Sequence, residues 1–172
     1  MAIVGGGNSA GQAAVFLSAH ATEVALIVRE GDLGEHMSRY LIDQVTRIPN
    51  VHVMTGAEVG GLHGEAALEA VTVTDRRTGT RCTVKARALF VFIGMTPCTG
   101  WLGGLVEVDD HGFVRTGPVP GSPGADRSVL ETSRPGIFAV GDVRSGSAKR
   151  VATAVGEGAM AIRLAFERIR PT

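Results

Sequence analysis

Ala2-Ile3-Val4-Gly5-Gly6-Gly7-Asn8-Ser9-Ala10 passes from a short apolar run through three glycines into a helical pattern. Ala13, Ala14, Phe16 and Leu17 carry the apolar period of a helix over 9–19, and 23–28 is a second apolar, β-rich run. Strand, glycine turn, helix and strand in so short a span make a βαβ unit, because parallel strands need a crossover element to pair. The spacing Gly5, Gly7, Ala10 matches G-x-G-x-x-A. Gly5 allows the tight turn, Gly7 lets a diphosphate approach the backbone, and the small Ala10 lets helix and strand pack closely. Asn8 and Ser9 open the helix, whose N-terminal amides would meet the phosphate charge. Gly5, Gly7, Asn8, Ser9 and Ala10 are therefore the candidate dinucleotide-binding residues.

The same residues also spell G-x-S-x-G over Gly7-Asn8-Ser9-Ala10-Gly11, the nucleophile elbow of a hydrolase. That chemistry needs strands and an oxyanion loop before the turn, then an acid and a histidine after it. Little chain precedes Asn8, and the last histidine, His111, comes before Asp142, the best strand-end acid. The order of residues disfavours an esterase.

Outward from the turn, 33–48 places Met37, Leu41, Ile42, Val45 and Ile48 at helical spacing, and Pro49 stops it. Val51–Met54 reads as a third parallel strand. From Ala57 the texture alternates on both sides of Arg76-Arg77-Thr78-Gly79, the pattern of an antiparallel meander. A continuous apolar run over 88–93 closes a first domain at 1–93. The stretch 94–135 is rich in Gly and Pro, most of all from Gly117 to Gly124, with short strands expected near Val106 and Phe113. A buried strand is expected over 137–140, ending in Gly141-Asp142, and a long helix over Val151–Ile169 tolerates Gly156 and Gly158. The fold class expected is α/β: a Rossmann-like, three-layer NAD(P)-binding domain with an antiparallel meander, followed at 94–172 by an incomplete second domain.

Composition limits the functions open to such a chain. Among 172 residues, 17 Lys and Arg balance 17 Asp and Glu, so no net field recruits nucleic acid or an anionic membrane. The 24 glycines are roughly twice ordinary usage and serve backbone geometry. Cys82 and Cys98 form no C-x-x-C and have no histidine at ligand spacing, which argues against a disulfide framework and a zinc site. No basic leader precedes the glycines, and no apolar run reaches membrane-spanning length. A reducing, cytoplasmic setting is expected.

The end of the second strand selects the nucleotide: an acidic residue there bonds a ribose 2′-OH, and an Arg nearby accommodates a 2′-phosphate. Leu26-Ile27-Val28-Arg29-Glu30 puts Arg29 just past the strand. A charge-assisted contact contributes about 1.5–3 kcal/mol, so one Arg biases binding toward NADP(H) by roughly ten- to a hundredfold. Glu30 beside it acts in the opposite sense.

Ala88-Leu89-Phe90-Val91-Phe92-Ile93-Gly94-Met95-Thr96-Pro97 and Glu131-Thr132-Ser133-Arg134-Pro135-Gly136-Ile137-Phe138-Ala139-Val140-Gly141-Asp142 carry a further resemblance. In both strings the chain resembles the flavin-dependent pyridine nucleotide-disulfide oxidoreductases, closest to low-molecular-weight thioredoxin reductases. The resemblance implies FAD and NADP(H) as cofactors, and it adds Ile93, Gly94, Gly141 and Asp142 as cofactor-binding residues. Asp142 would lie beside the FAD ribityl and pyrophosphate. Lys149-Arg150-Val151-Ala152, with Gly156-Glu157-Gly158 further along, looks like the family's flavin-facing helix, which makes Arg150 and the backbone amides of Val151 and Ala152 candidates too. A helix N-terminus carries about half a positive charge and favours an anionic reduced ring.

The resemblance covers nearly the whole chain but only about the last half of the family's length. The family has two glycine-rich turns; by order, the one here belongs to the pyridine-nucleotide domain. The FAD ADP-binding turn and the family's C-x-x-C would lie upstream of residue 1. The family's paired arginines are reduced here to Arg29 followed by Glu30, with Gly34 where a later one would stand. Two functions are thus expected in competition. One is part of a flavoprotein passing hydride from NADPH to flavin and on to an unidentified acceptor, with Cys98 structural. The other is an NADP(H)-binding module without turnover, paired with itself or with a complementing FAD-domain segment.

Overall fold

Three residues suffice for the first strand because it lies in the middle of its sheet. In the computed structural model, which describes residues 1–118 and 127–169, β1 (Ala2–Val4) pairs in parallel with β2 (Val24–Ile27) and with β7 (Leu89–Val91). β3 (Val51–Met54) adds beyond β2, giving the all-parallel order β3-β2-β1-β7. The expected βαβ unit is present, with α1 (Asn8–Ser18) as its crossover helix.

Such a sheet must be covered on both faces, which is why its strands read as unbroken apolar runs. On one face Ile3, Val24, Leu26 and Val28 pack against Ala10 and Ala14 of α1 and against Leu41 and Val45 of α2 (Arg39–Arg47). On the other, Ala2 and Ile27 pack against Ala57, Val71 and Val73 of a meander made of β4 (Ala57–His63), β5 (Ala70–Asp75) and β6 (Arg81–Lys85). Helices, parallel sheet and meander make three layers. Each fully buried Val, Leu or Ile contributes about 1.5–3 kcal/mol.

The expected helix over 33–48 is divided. Leu33–Glu35 is a separate 3-10 turn, opened by Asp32, whose Oδ1 accepts the Gly34 amide at 2.5 Å; α2 starts only after Ser38. The apolar period holds nonetheless, because Leu33, Met37, Leu41 and Val45 are all buried. Val28 lies one residue past β2, yet its amide still donates to Met54 O at 2.9 Å.

The chain separates into two compact units, Met1–Gly94 and Met95–Thr172. The second is held differently from the first. Its described residues contain no strand ladder: the strands expected near Val106 and Phe113 amount to the bridges Val108–Val114 and Val114–Arg144, and 137–140 contributes one bridge, Glu131–Phe138. A strand persists by pairing, and no neighbour among the described residues offers a continuous edge. Ile137, expected to be buried, is 38% exposed. Part of the irregular run from Gly117 to Gly124 lies outside the described residues. Side chains take over the tying: Asp109 accepts the Ser145 hydroxyl at 2.6 Å and the amides of His111 and Phe113 at 3.0 and 2.9 Å. α3 (Val151–Ile169) forms over the expected span, but Glu157 is its one buried residue, while Val151, Val155, Ile162, Phe166 and Ile169 are exposed. Among the described residues no helix is long and apolar enough to cross a membrane.

Candidate functional site

The turn between β1 and α1 is shaped by two different demands on its glycines. Gly5 takes φ +141°, and a Cβ there would collide with the carbonyl of Phe92, whose amide bonds Val4 O at 2.7 Å. No residue with a side chain fits. Gly7 is different: its φ is −92°, and an added Cβ would meet only His36 O, at 3.9 Å. The protein's own packing does not require glycine at that position, which leaves the space above its backbone for something else. Ala10 is fully buried against the sheet, as its place in the motif requires.

Gly7 is the N-cap of α1, and no side chain caps the helix. Asn8, which could turn back to do so, instead accepts the Ser38 amide through Oδ1 at 2.7 Å, bringing the start of α2 beside the start of α1. Asn8 and Ser9 are exposed, and the first turn of α1 carries no acidic residue. The first amides of a helix have no acceptor within it, so this end offers N–H donors and the positive end of the helix dipole to an anion. The arrangement fits a diphosphate.

Arg29 and Glu30 follow β2 at the same, C-terminal, end of the parallel strands, where open α/β sheets bind their ligands. They pair with each other, Arg29 Nη2 to Glu30 Oε1 at 3.1 Å, with Arg29 70% exposed and Glu30 16%. Glu30 is turned inward: a Cβ on Gly6 would stand 2.9 Å from Glu30 Oε2. Its own backbone N–H, and then the Arg29 guanidinium, hold its carboxyl below the ordinary glutamate range. Arg76, which touches Arg29 O at 3.4 Å, carries Glu58 as its own partner at 3.6 Å. Ile93 and Gly94 follow β7 at this end of the sheet; Ile93 is exposed and Gly94 takes φ +91°.

The remaining candidates gather in the second unit. Gly141 begins a 3-10 turn, Gly141–Val143, at φ +72°, and a Cβ there would stand 3.2 Å from that of Ala154 in the first turns of α3. Lys149 Nζ donates to Asp142 O at 3.2 Å and lies 3.8 Å from the centre of the Phe113 ring. Asp142 is exposed and its carboxylate makes no hydrogen bond among the described residues. Arg150, Val151 and Ala152 open α3, also exposed. The outward carboxylate of Asp142, on the 141–143 turn, and the Val151 and Ala152 amides, at the start of α3, could hold the polar part of a flavin nucleotide. Cys82 and Cys98 are both exposed and unbridged, so the structural role expected for Cys98 is not one of core packing.

Two residues organise these places through contacts that no motif in the sequence reports. Glu157 reaches back from α3 to accept the Gly141 amide at 2.7 Å and to bind Arg144. Gly11, one residue past the dinucleotide motif, lets Met37 approach: a Cβ would be 2.9 Å from its sulfur. The glycine is visible in the sequence; its contact is not.

Comparisons with known proteins agree with this geometry. A family model described as "Pyridine nucleotide-disulphide oxidoreductase" matches residues 1–158. The chain is 35% identical over 164 residues to a thioredoxin reductase of Eremothecium gossypii, covering 94% of this chain and 47% of that one. It is 36% identical over 172 residues to a component of the alkyl hydroperoxide reductase of Pseudomonas putida, covering 98% of this chain and 30% of that one. Among solved structures, the thioredoxin reductase of T. acidophilum matches with a TM-score of 0.77 at 26% identity, over 98% of this chain and 52% of that one. The chain spans about half the length, or less, of these relatives.

Proposed function

Because the chain belongs to the pyridine nucleotide-disulphide oxidoreductase family, we propose that it supplies two parts of a thioredoxin reductase-like flavoprotein. Residues 1–93 are its NAD(P)-binding domain and 94–172 the C-terminal segment of its FAD-binding domain. The observation that carries the reading is the start of α1, left without a side-chain cap because its N-cap, Gly7, has no side chain, with nothing in the protein filling the place of the missing Cβ.

In this reading the Asn8, Ser9 and Ala10 amides hold the coenzyme diphosphate, with Gly7 allowing its approach. Arg29 stands where its charge would favour the 2′-phosphate of NADPH, and Ile93 and Gly94 border the nicotinamide half. Asp142 orients the ribityl and pyrophosphate of FAD, and the Val151 and Ala152 amides, with Arg150 beside them, face its ring. FAD, when bound, supplies the acceptor for the nicotinamide hydride and passes the electron pair on. The chain's own groups bind and orient; none is asked to move a proton.

The apolar residues left exposed along α3 support a partner for this segment, either a complementing part of the FAD-binding domain or a second copy of the chain. A second reading, a nucleotide-binding module without turnover, is favoured by the absence of a strand ladder among the described residues of 95–172. Colour and calorimetry separate the two. Purified protein that is yellow and bleaches with NADPH supports the flavoprotein. Colourless protein that binds NADPH supports the module, and protein that binds neither coenzyme removes both.

A further inference from the structure

β6 is the last strand of the meander and pairs on one side only, with β5. Two bonds set the phase of that pairing: Asp75 N–H to Thr80 O at 2.9 Å, and Ala86 N–H to Glu69 O at 3.0 Å. Hydrogen-bonded pairs recur at every second residue of an antiparallel ladder. Cys82 and Val84 therefore bond to β5, while Arg81, Thr83 and Lys85 turn their backbone N–H and C=O to the free edge. The opposite margin of the meander, β4, is broken by a bulge between Val59 and Gly61, whereas the β5–β6 pairing is regular.

Cys82 and Val84 stand opposite Val73 and Val71, on the face turned to the parallel sheet. Arg81, Thr83 and Lys85 share the outer face and are exposed. Arg76, Arg77, Arg81, Lys85 and Arg87 put five cations and no acid into 76–87 of a chain whose formal net charge is zero. Arg76 has Glu58 as its partner, and Asp75 gives Oδ1 to the Arg77 and Thr78 amides. Arg77, Arg81, Lys85 and Arg87 make no ion pair among the described residues. A regular open edge is a template for another strand. A second copy fits it poorly: antiparallel self-pairing about Thr83 would set Arg81 against Lys85, and like charges directly opposite destabilise.

We infer that the β6 edge docks an extended acidic segment of a partner protein by strand addition. The added backbone bonds Arg81, Thr83 and Lys85. Its carboxylates, four residues apart, face Arg81 and Lys85, and the apolar residues between them cover Cys82 and Val84. The docking does not require a bound coenzyme.

Fluorescence polarisation on the full chain tests this with a labelled peptide carrying glutamate at its second and sixth positions and valine, threonine and valine between. At 50 mM salt it should bind at least tenfold more tightly than the same peptide with glutamine for glutamate. Arg81→Glu combined with Lys85→Glu should weaken it at least tenfold. Backbone pairing has its own readouts, which a charge effect alone would not move. At saturation the amides of Arg81, Thr83 and Lys85 should exchange hydrogen at least tenfold more slowly. With the protein unaltered, a peptide N-methylated on its edge-facing amides should bind at least tenfold more weakly. Equal affinity for any two of these peptides, unchanged exchange, or no binding at 1 mM peptide overturns the docking and leaves the cations as guards against self-pairing. Displacement of the peptide by a tighter-binding thymidine oligonucleotide overturns the acidic partner in favour of a nucleic acid.

Discussion

Glu157, in the second turn of α3, accepts the Gly141 amide at 2.7 Å with the same carboxylate that binds Arg144 through both of its oxygens. A charge that is 8% exposed would be costly alone, but here both carboxylate oxygens have donors. The bond fixes the turn on which Asp142 stands to α3. In a unit held by bridges rather than ladders, this side chain does what a strand neighbour would otherwise do.

Replacing Glu157 by Gln should therefore lower the stability of the second unit by about 1.5–3 kcal/mol, because the half-buried Arg144 guanidinium loses its counter-charge. α3 is the long helix of this unit, so a urea titration followed by hydrogen exchange of its amides reads the unit directly. An unchanged midpoint would show that the pair is ornamental to stability.

The same contact fixes a pH dependence. The Arg144 side chain first, and the Gly141 amide after it, hold the Glu157 carboxyl below the ordinary glutamate range. A depressed folded-state value means the stabilisation is complete above the unfolded value of about 4.3 and is lost as pH falls through the folded one. Glu30, Asp75 and Asp109 are lowered in the same direction, so the comparison must be made by difference. Urea midpoints read from the α3 amides should separate the Gln variant from the unaltered chain at pH 7 and pH 5 and draw together below about pH 4. A gap that stays constant down to pH 3 would remove Glu157 from the acid transition.

What the sequence disclosed and what it hid divide along one physical line. The β1–turn–α1 unit was legible because local signals, a glycine spacing and a helical period, all agree with the tertiary answer. The apolar period of 33–48 predicted the buried face but not the break before Ser38, since Met37 stays buried whether or not the helix continues through it. Residues 137–140 have the composition of a strand, and composition cannot supply the neighbour that would make them one. Glu157 and Gly141 are far apart in sequence, and no period connects them. Glu30 was visible as a charge next to Arg29; that it turns over Gly6 is a matter of side-chain direction, which no spacing reports.

Gly5 and Gly7, two positions apart in one motif, should fail in opposite ways. Gly5→Ala forces a side chain onto φ +141° and into the Phe92 carbonyl, so the first unit should lose roughly 1–3 kcal/mol or more. Gly7→Ala has ordinary φ and room, so its stability cost should stay below about 1 kcal/mol, that of an N-cap exchange. Its coenzyme affinity should nonetheless fall at least tenfold, because the methyl group fills the space a diphosphate needs. Circular dichroism melts and NADPH calorimetry on both variants make the comparison. A Gly7→Ala protein that binds as well as the parent would mean the space above that backbone is not where the ligand lies.

Asp142 offers the complementary test in the second unit. Its carboxylate is exposed and bonds nothing among the described residues, so Asp142→Ala should change stability by no more than about 0.5 kcal/mol. The carbonyl that Lys149 contacts is backbone and survives the substitution. If the carboxylate orients a flavin nucleotide, the variant should emerge from purification with less flavin per chain, read as the ratio of visible to 280 nm absorbance, while NADPH binding at the glycine turn of the first unit keeps its affinity. Loss of both together would point to a general unfolding and be seen in the dichroism. Undiminished flavin would take Asp142 out of the site and leave the helix-start amides of Val151 and Ala152 to hold it alone.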